Sequence, residues 1–447
     1  MSKIIYDLTY AARGKSGIPK DTRSVAEILE SLNYAEVDYV ISSKHFVSRY
    51  SLPGRIDEKL QTKQINNIFS TQPKNFLKKL FALSFRSIFQ SVSLFRNIRL
   101  KKITLHNVPL VLEKLSLNLD KGIHPTISIL QISYAARFAR PKIFGLFRLD
   151  TAGADFYIQQ QIDPIKVSVS TTHIVRLHDI LPITHPQFFS TRARIAFNRG
   201  LAGLLSNKNI VWVMDTEASK KEFMSYFGNK LRVEVIPCEV GYGLNPPTVP
   251  VAKENRKNNT FLTVNTIEPR KNVRLIVESF LRSQKLDNVL SDDELIIAGS
   301  YGWLEEDLML KLRSGYFGPQ VKFIEKPDEA QITRLYESSD FVISASEAEG
   351  FGLPPLEGIL FGCLPLVSKL PQHFETMGTE AIYFDLNEES LSQAIFSARS
   401  LSISKRRELA LTLHKQVRSK FSHEVLKMSW ESLLISIQGK SFGIREK

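Results

Sequence analysis

The chain has 447 residues, with an apolar fraction of 43% and 59 Lys and Arg residues against 46 Asp and Glu. That composition belongs to an ordinary globular protein and excludes a collagenous, largely disordered or disulfide-stapled chain. At ~100–200 residues per domain, the length predicts two or three domains, and two is the starting hypothesis. The net charge of +13 indicates an acidic partner, whose class depends on where the charge lies.

The cysteines and the apolar runs indicate the compartment. Cys238 and Cys363 lie far apart without metal-ligand spacing, which favours a reducing compartment and makes both packing residues rather than zinc ligands. The N-terminus lacks the apolar stretch of a signal peptide, and no run of ~18 uncharged apolar residues occurs. We therefore expect a cytoplasmic protein, either soluble or peripheral on the cytosolic face of the inner membrane.

The first half of the chain contains three predicted buried strands and a less regular middle. The strands are KIIYDLT at 3–9, THIVRLHD at 172–179 and NIVWVMD at 209–215. His173 and His185 belong to no supporting motif, so they are interpreted as structural or surface residues.

A basic segment at 59–102 carries most of the net charge. From Lys59 to Leu112 there is no acidic residue and there are ten basic ones, and 74–102 spaces its apolar residues as in a helix with one apolar stripe. Such a helix suits an anionic membrane surface, but a core-packing helix with a solvated basic face has the same pattern. Without zinc-finger spacing, an RNP-type motif or a long basic tail, no nucleic-acid partner is expected.

The second half of the chain alternates strands with helices. It begins after NPPTVPVAKENRKNN at 245–259, whose Pro, Asn and charge are typical of a linker. Five β-rich runs follow, at 260–266, 294–300, 321–325, 341–346 and 364–368. This alternation predicts a parallel, doubly wound sheet that binds ligands at the carboxyl ends of its strands. The whole chain should then be an α/β protein of two such domains facing each other across a cleft.

A Gly-rich turn follows the strand at 341–346. Gly350 and Gly352 allow a sharp turn with open N–H groups, and the following prolines suit the first turn of a helix, whose N-terminus attracts phosphate. Glu349 and Glu357 could flank such an anion and accept hydrogen bonds from sugar or ribose hydroxyls. A strand-turn-helix with surface acids has the same pattern.

A second strand-to-helix junction carries two adjacent cations. Arg270 and Lys271 follow the strand at 260–266 and precede the helical run VRLIVESFL. Arg offers a planar fork and Lys a mobile point charge, and together they suit a diphosphate. Since both junctions should lie at the same edge of the sheet, they predict one nucleotide-diphosphate site.

These segments resemble a known family. TIEPRKN (266–272), IIAGSYGW (296–303), EAEGFGLPPLEG (347–358) and LPQHFETMG (370–378) resemble, in order and spacing, the C-terminal domain of retaining glycosyltransferases of family 4, including the E-x7-E element at Glu349 and Glu357. Residues 16–29, 178–189 and 216–228 resemble the N-terminal domain more loosely. The branch with TIEPRKN is similar to mannosyltransferases of bacterial surface polysaccharides, which implies GDP-mannose as the donor.

The resemblance implies the GT-B fold, with two Rossmann-like domains. Residues 1–244 should form the acceptor-binding domain, with 424–447 crossing back onto it, and 260–423 the nucleotide-sugar-binding domain. Three positions depart from the family pattern. Asn265 replaces the usual Gly before TIEPRKN, Pro19 a second Gly in the first loop, and Cys238-Glu239 an Asn-Gly.

The resemblance also implies roles at the donor site. Arg270 and Lys271 should bind the diphosphate and stabilise the charge that builds on the leaving group, while Glu357 accepts from the ribose hydroxyls. The donor sugar and its phosphate should be held by Glu349 and by the turn residues Gly350, Phe351, Gly352 and Leu353. Gly17, in the first loop, either lets that backbone approach the diphosphate or forms a simple turn.

His178 and Asp179 end the strand at 172–179. The resemblance implies that His178 contacts the transferred sugar near the reacting carbon and that Asp179 orients it, although a structural histidine at a strand end has the same pattern. No metal or other cofactor is expected, since the sequence has no Asp-x-Asp pair in a cleft context and no His cluster. Arg270, Lys271 and helix N-termini would neutralise the diphosphate instead.

The combined prediction is a metal-independent, retaining hexosyltransferase. It should move mannose from a nucleotide-diphosphate sugar to a glycan or lipid-linked glycan acceptor in bacterial surface polysaccharide or lipopolysaccharide synthesis. A catalytically silent scaffold of a polysaccharide assembly complex is the first alternative, which Asn265 leaves open. A basic nucleic-acid-binding protein is the second, and steeply salt-dependent binding would reveal it.

Overall fold

The computed structural model describes residues 2–11, 17–42, 101–102, 127–130, 147–149, 151–160, 162–250, 258–286 and 292–445. The chain divides into two compact units. The first comprises Met1–Arg13, Tyr34–Val175 and Ile195–Ile210, and the second Gly14–Asn33, Arg176–Arg194 and Val211–Lys447. The domain limits drawn from the sequence stay a prediction.

The secondary structure of the described residues alternates throughout. The strands are β1 (Ser2–Asp7), β2 (Ala35–Ser42), β3 (Lys101–Lys102), β4 (Ile127–Leu130), β5 (Phe147–Arg148), β6 (Phe156–Gln159), β7 (Ile165–Lys166), β8 (Thr172–Arg176), β9 (Ile210–Met214), β10 (Arg232–Val235), β11 (Thr260–Ile267), β12 (Glu294–Tyr301), β13 (Val321–Glu325), β14 (Phe341–Ser344), β15 (Leu364–Ser368) and β16 (Ile382–Phe384). The α-helices are α1 (Ile18–Glu30), α2 (Leu181–Thr184), α3 (Thr191–Leu205), α4 (Glu217–Phe227), α5 (Val273–Ser283), α6 (Glu306–Arg313), α7 (Glu329–Ser338), α8 (Leu353–Leu360), α9 (Pro371–Met377), α10 (Glu388–Arg399), α11 (Ile403–Phe421) and α12 (His423–Arg445).

The first unit is built on a parallel sheet. Its strands follow the order β8-β6-β1-β2-β4-β3, and all neighbours are parallel except the β3–β4 pair. Every side chain of β6 is buried, which is the pattern of a parallel strand covered on both faces. Lys101 and Lys102 form β3 and not the end of the predicted basic helix. The rest of that segment, and with it the predicted membrane contact, lies outside the described residues.

His173 is a polar side chain buried in the core of this unit. It is 1% exposed, and its Nε2 lies 3.0 Å from Oε1 of Gln159. Burial lowers the pKa of His173 to about 3, because protonation would add a charge to an apolar core. The side chain is therefore neutral and structural, as the sequence predicted.

The second unit contains a doubly wound sheet of six parallel strands. Their order is β13-β12-β11-β14-β15-β16, with a helix between each consecutive pair of strands in the chain. The predicted strands at 321–325 and 364–368 have these same limits in the structure, and the one predicted at 341–346 ends at Ser344. The prediction of a parallel, doubly wound sheet is confirmed.

The order of the strands reverses between β11 and β14. From β11 the chain first adds β12 and β13 on one side, and then returns to add β14, β15 and β16 on the other. Ligands of open α/β sheets bind outside the carboxyl ends of the strands at such a reversal. Arg270 and Lys271 follow β11, and Glu349 follows β14, so the topology brings the two predicted motifs together.

The core of the second unit closes around this sheet and includes both cysteines. Phe261 and Phe341 stack at its centre with ring centroids 4.7 Å apart, and Cys238 and Cys363 are buried in the same cluster. The expectation that both cysteines pack in the core is confirmed.

The last helix belongs to the second unit and contacts the first helix of the chain. The Lys427 ammonium donates to the carbonyl of Ser31 at the end of α1, over 2.9 Å, and Trp430 is fully buried. Within the described part of the chain, every helix is too short or too polar to span a bilayer.

Candidate active site

A cavity of about 570 Å³ lies at the carboxyl ends of β11 and β14. Every residue that the sequence predicted for the site lines it. These residues are Gly17, His178, Asp179, Arg270, Lys271, Glu349, Gly350, Phe351, Gly352, Leu353 and Glu357. Residues from both halves of the sequence thus line a single cavity, and all of them belong to the second unit.

Arg270 and Lys271 converge on the carboxylate of Glu349. Nη1 of Arg270 donates to Oε2 of Glu349 over 3.0 Å and to the carbonyl of Ala348 over 2.7 Å. Nζ of Lys271 donates to Oε1 of Glu349, which also accepts from Oγ of Ser346 over 2.6 Å. The E-x7-E carboxylate therefore positions both predicted diphosphate-binding cations.

Electrostatics keep this carboxylate ionised. Burial would raise the pKa of Glu349, but the Lys271 ammonium and the Arg270 guanidinium outweigh burial and hold it well below its usual range. Burial also lowers the pKa of Lys271 from its ordinary value, although Glu349 opposes that shift.

Glu268, which the sequence did not assign, completes the cluster. Its Oε1 accepts from Nη2 of Arg270 over 2.7 Å and from Nε over 3.1 Å, and burial raises its pKa. With Glu268 and Glu349 both ionised, the two cations and two carboxylates sum to zero formal charge. The cluster thus fixes the direction of Arg270 and Lys271 without accumulating uncompensated positive charge in a buried place.

The Gly-rich turn has the geometry that the sequence predicted. Gly352 caps α8 with φ +86°, a left-handed value that favours glycine. Gly350 passes against the strand-end loop, since a Cβ there would lie 2.8 Å from the carbonyl oxygen of His178. Pro354 and Pro355 occupy the first turn of α8, where their missing N–H groups cost no helical hydrogen bond.

The start of α4 holds the same turn. Oγ of Ser219 donates to the carbonyl of Gly350 over 3.2 Å, and Thr216 accepts from the Ser219 N–H as the N-cap of α4. The Glu375 carboxylate accepts from the N–H groups of Glu217 and Ala218 over 2.7 and 2.8 Å. The Ser-rich helix start at 216–228 therefore helps to shape the site.

Glu357 is engaged by Lys20. Nζ of Lys20 donates to Oε1 of Glu357 over 2.9 Å, and the Tyr336 hydroxyl donates to Oε2 over 3.1 Å. Both members of the ion pair are less than 10% exposed. The carboxylate that the resemblance assigns to the ribose therefore holds a cation from α1 in this structure.

His178 is part of a buried charged network. Its Nδ1 donates to Oδ2 of Asp215 over 2.7 Å. Arg176 lies next to this pair, with its Nη2 3.1 Å from Oδ1 of Asp215. The same guanidinium donates to both carboxylate oxygens of Asp21, from Nε over 2.6 Å and from Nη2 over 2.8 Å. Burial would lower the pKa of His178, but the Asp215 and Asp21 carboxylates raise it above its ordinary value.

Asp179, which the resemblance assigned to orienting His178, bonds to the backbone and not to the imidazole. Its Oδ1 accepts from the N–H of Leu181 over 3.0 Å, at the start of α2, and burial raises its pKa. The partner of His178 Nδ1 is Asp215, so the orienting carboxylate was assigned to the wrong residue. Asp179 is adjacent to His178 in sequence, whereas β9 brings Asp215 to the same edge of the sheet from 37 residues away.

Replacing Asp215 by asparagine should lower the pKa of His178, because the neighbouring negative charge favours the imidazolium form. The titration of the His178 Cε1–H resonance measures this, with the resonance assigned by its loss in His178→Gln. His414 bonds to the Pro247 carbonyl and should keep its midpoint in the same variant. An unchanged His178 midpoint would contradict the assignment of Asp215 as the dominant charge.

Asp21, His178 and Cys238 are close enough to be considered as metal ligands, with their ligand atoms within 4.8 Å of one another. Arg176 already donates to both oxygens of Asp21. Burial also raises the pKa of the Cys238 thiol well above its ordinary value, and a neutral thiol is a poor ligand. These three residues therefore do not fit a cation. The absence of a metal from the reaction stays a prediction.

Sequence reasoning missed Lys20, Asp21, Arg176, Asp215 and Glu268. One signal was available for Arg176, because a charged residue in the middle of a buried strand requires a carboxylate partner. Asp215, at the end of the next predicted strand, is such a partner. Lys20 and Asp21 follow Pro19 in the first turn of α1, and nothing local distinguishes them from solvated helix residues.

Asn265 replaces a glycine of the family pattern without blocking the cavity wall. Its Nδ2 donates to Oγ1 of Thr263 over 2.7 Å. Gly299 makes room for the Asn265 backbone, since a Cβ at Gly299 would lie 1.7 Å from the Asn265 carbonyl oxygen.

The segment that contains Arg270, Lys271, Glu349 and Glu357 also matches a known protein family. Residues 248–410 match the family described as glycosyl transferases group 1. The chain is 23% identical to O-antigen chain mannosyltransferase B of Escherichia coli, over 61% of this chain and 70% of that protein. It is 24% identical to O-antigen chain mannosyltransferase RfbU of Salmonella typhimurium, over 51% of this chain and 64% of that protein.

Solved structures of other proteins have a similar fold over nearly the whole length of this chain. HepE of Anabaena, in complex with UDP and glucose, gives a TM-score of 0.57 at 15% identity, over 98% of this chain and 100% of that chain. Sucrose-phosphate synthase of Thermosynechococcus elongatus gives 0.59 at 14% identity with the same coverage. At these identities the likeness shows the fold, which is GT-B with two Rossmann-like parallel sheets.

The chain has the GT-B fold, and the site residues Arg270, Lys271, Glu349 and Glu357 all lie within the segment that matches a glycosyl transferase family. The chain carries a glycosyltransferase group 1 domain at 248–410 and resembles bacterial O-antigen mannosyltransferases. The resemblance drawn from TIEPRKN and the E-x7-E element is confirmed at this level.

Proposed function

We propose that this glycosyltransferase moves mannose from GDP-mannose to a polysaccharide or lipid-linked glycan, with retention of the anomeric configuration and without a metal ion. The product would be part of a bacterial surface glycan such as O-antigen. The observation that carries the proposal is the convergence of Arg270 and Lys271 on Glu349 beside the Gly-rich turn, in the same cavity as Glu357.

The cavity offers matching groups for the diphosphate, the ribose and the sugar of a nucleotide sugar. Arg270 and Lys271 supply charged donors for a diphosphate, supported by the N–H groups at the start of α8. Glu357 supplies a carboxylate for ribose hydroxyls once Lys20 yields its hydrogen bond, and Glu349 lies where the sugar would leave the diphosphate. The mannosyl group and the guanine base are proposed from the similarity to O-antigen mannosyltransferases.

The reaction breaks the bond between C1 of the sugar and the diphosphate oxygen. An acceptor hydroxyl oxygen forms the new bond to C1 from the same face, and its proton passes to the departing diphosphate oxygen. Arg270 and Lys271 stabilise the negative charge on that diphosphate, which is often the largest catalytic contribution.

A covalent intermediate on Glu349 is disfavoured by the bonds this carboxylate already makes. It accepts from Lys271, Arg270 and Ser346, and charge pairing holds its pKa well below the usual range. Such a stabilised carboxylate is a weak nucleophile. Its role in the proposed reaction is to hold the two cations and the sugar.

A thermal-shift panel of UDP-, GDP-, ADP- and dTDP-sugars with EDTA present tests the proposal. GDP-mannose should raise the melting temperature of the wild-type chain, because a ligand that binds the native state stabilises it. Glu357→Gln should weaken GDP-mannose roughly tenfold, since an amide is a poorer acceptor for ribose hydroxyls. Glu408→Gln, which alters an exposed Glu–Lys pair on α11, should leave the shift unchanged.

The same panel separates the proposal from the scaffold alternative. Formation of a mannosyl product on an O-antigen-type acceptor would complete the assignment. If no nucleotide sugar shifted the melting temperature, the chain would be a silent scaffold. A shift with a UDP-sugar alone would overturn GDP-mannose as the donor. A shift that EDTA abolished would overturn the metal-free part of the proposal.

A further inference from the structure

A second cavity, of about 680 Å³, adjoins the first at Glu349. Its walls come from the start of α4, the start of α9 and the segment that leads into the Gly-rich turn. The volume lies within the range of small-molecule sites, which is ~300–1,000 Å³. Since Glu349 lines both cavities, a ligand here would lie next to the donor sugar of the proposed function.

The charged lining of the second cavity is acidic. Glu349 and Glu375 are already engaged, the first by Lys271 and Arg270 and the second by N–H groups of α4. Among the described residues, the Glu347 carboxylate has no hydrogen bond or ion pair. Glu222 adds a further carboxylate at the α4 wall, against one cation at Lys221.

Gln372 provides an independent indication of a ligand. It lines the same cavity and is only 9% exposed. Its side-chain amide makes no hydrogen bond within the part of the chain that the structure describes. The oxygen and nitrogen of this amide keep some solvent exposure, so a ligand with hydroxyl groups could both donate to the oxygen and accept from the nitrogen.

The composition of the lining selects the class of ligand. Carboxylates and an amide suit the hydroxyls of a neutral sugar, and Leu181, Leu370 and Pro371 supply apolar surface for the face of its ring. A phosphate or carboxylate would be repelled by Glu222 and Glu347. The lining therefore favours an uncharged carbohydrate over an anionic headgroup.

We propose that this second cavity binds the uncharged terminal sugar of the acceptor glycan and presents its hydroxyl to the donor beside Glu349. The inference rests on the proposed function, since it names the acceptor class for that reaction. It also implies that any charged lipid carrier of the acceptor binds elsewhere on the protein.

Saturation-transfer NMR in the presence of GDP tests the proposal, with methyl α-D-mannopyranoside as the probe and mannose 6-phosphate as its anionic counterpart. The wild-type chain should bind the neutral probe more tightly than the phosphate. Gln372→Ala and Glu347→Gln should each weaken the neutral probe by about tenfold, through the loss of a hydrogen bond to the sugar. Gln416→Ala, outside the cavity, should leave probe binding unchanged.

Two further readouts keep the outcomes distinct. The thermal shift with GDP-mannose should be the same in Gln372→Ala, Glu347→Gln and the wild type, which also verifies folding. Equal probe binding in these variants, no probe binding by the wild type, or tighter binding of mannose 6-phosphate would overturn the cavity assignment. Failure of GDP-mannose to bind the wild type would instead overturn the donor part of the proposed function.

Discussion

Replacing Lys271 by alanine should lower kcat for sugar transfer by ~100- to 1,000-fold, the effect of removing one preorganised charge-stabilising donor. Lys271 is 9% exposed and its ammonium is bonded to Glu349, so its charge acts where little water screens it. The effect should fall mainly on kcat, because charge on the diphosphate is greatest when the bond to the sugar breaks. Steady-state kinetics with GDP-mannose in EDTA measure it.

The control for this prediction is Lys322→Ala. Lys322 pairs with Glu294 on the exposed side of β12 and β13, so its loss removes a Lys–Glu pair of the same chemistry outside the cavity. It should change neither kcat nor KM. Retention of more than a third of kcat in a folded Lys271→Ala variant would remove Lys271 from the catalytic machinery.

Replacing Arg176 by methionine should destabilise the protein by about 3–5 kcal/mol, the usual cost of breaking a buried ion pair by removing one partner. Arg176 is 1% exposed, and its guanidinium faces the carboxylates of both Asp21 and Asp215. Without it, two buried carboxylates would repel each other. Urea unfolding followed by tryptophan fluorescence measures the loss, since Trp212 and Trp430 are fully buried.

Two variants give this prediction its controls. Arg313→Met removes an exposed guanidinium paired with Glu325 and should hardly change stability. Arg176→Met combined with Asp21→Asn should recover part of the loss, because one of the uncompensated charges is also removed. If Arg176→Met were as stable as the wild type, the network would not contribute to the fold.

The fold of the second half could be predicted closely from sequence. Its strands are short, the four central ones are mostly buried, and helices with clear periodicity separate them, so local pattern and tertiary structure agree. The strand predicted at 341–346 stopped early because Ser346 leaves the sheet to donate to Glu349. The first half contains β-pairs as short as two residues, which carry too little periodicity for such a prediction.

The sequence predicted those residues of the site that belong to local sequence motifs. Turn glycines, paired cations and the two glutamates occupy fixed distances along the chain, and all of them line the cavity. Lys20 and Asp215 also line the cavity, and Arg176 lies against Asp215. Long-range pairing places all three residues, so no local spacing identifies them. The assignment of Asp179 as the orienting carboxylate failed for this reason, since Asp215 is 37 residues from His178.

The contact between α12 and α1 affects how the protein can fold during synthesis. Lys427 and Ser31 are 396 residues apart. At ~5–20 residues per second, a ribosome needs roughly 20–80 s to make that interval. Throughout this time the first helix lacks the partner that covers it, although it already carries Asp21, a carboxylate buried in the finished protein. Nascent chains should therefore depend on chaperones until α12 has been synthesised, and truncation within α12 should yield a protein that is degraded rather than one that is merely less active.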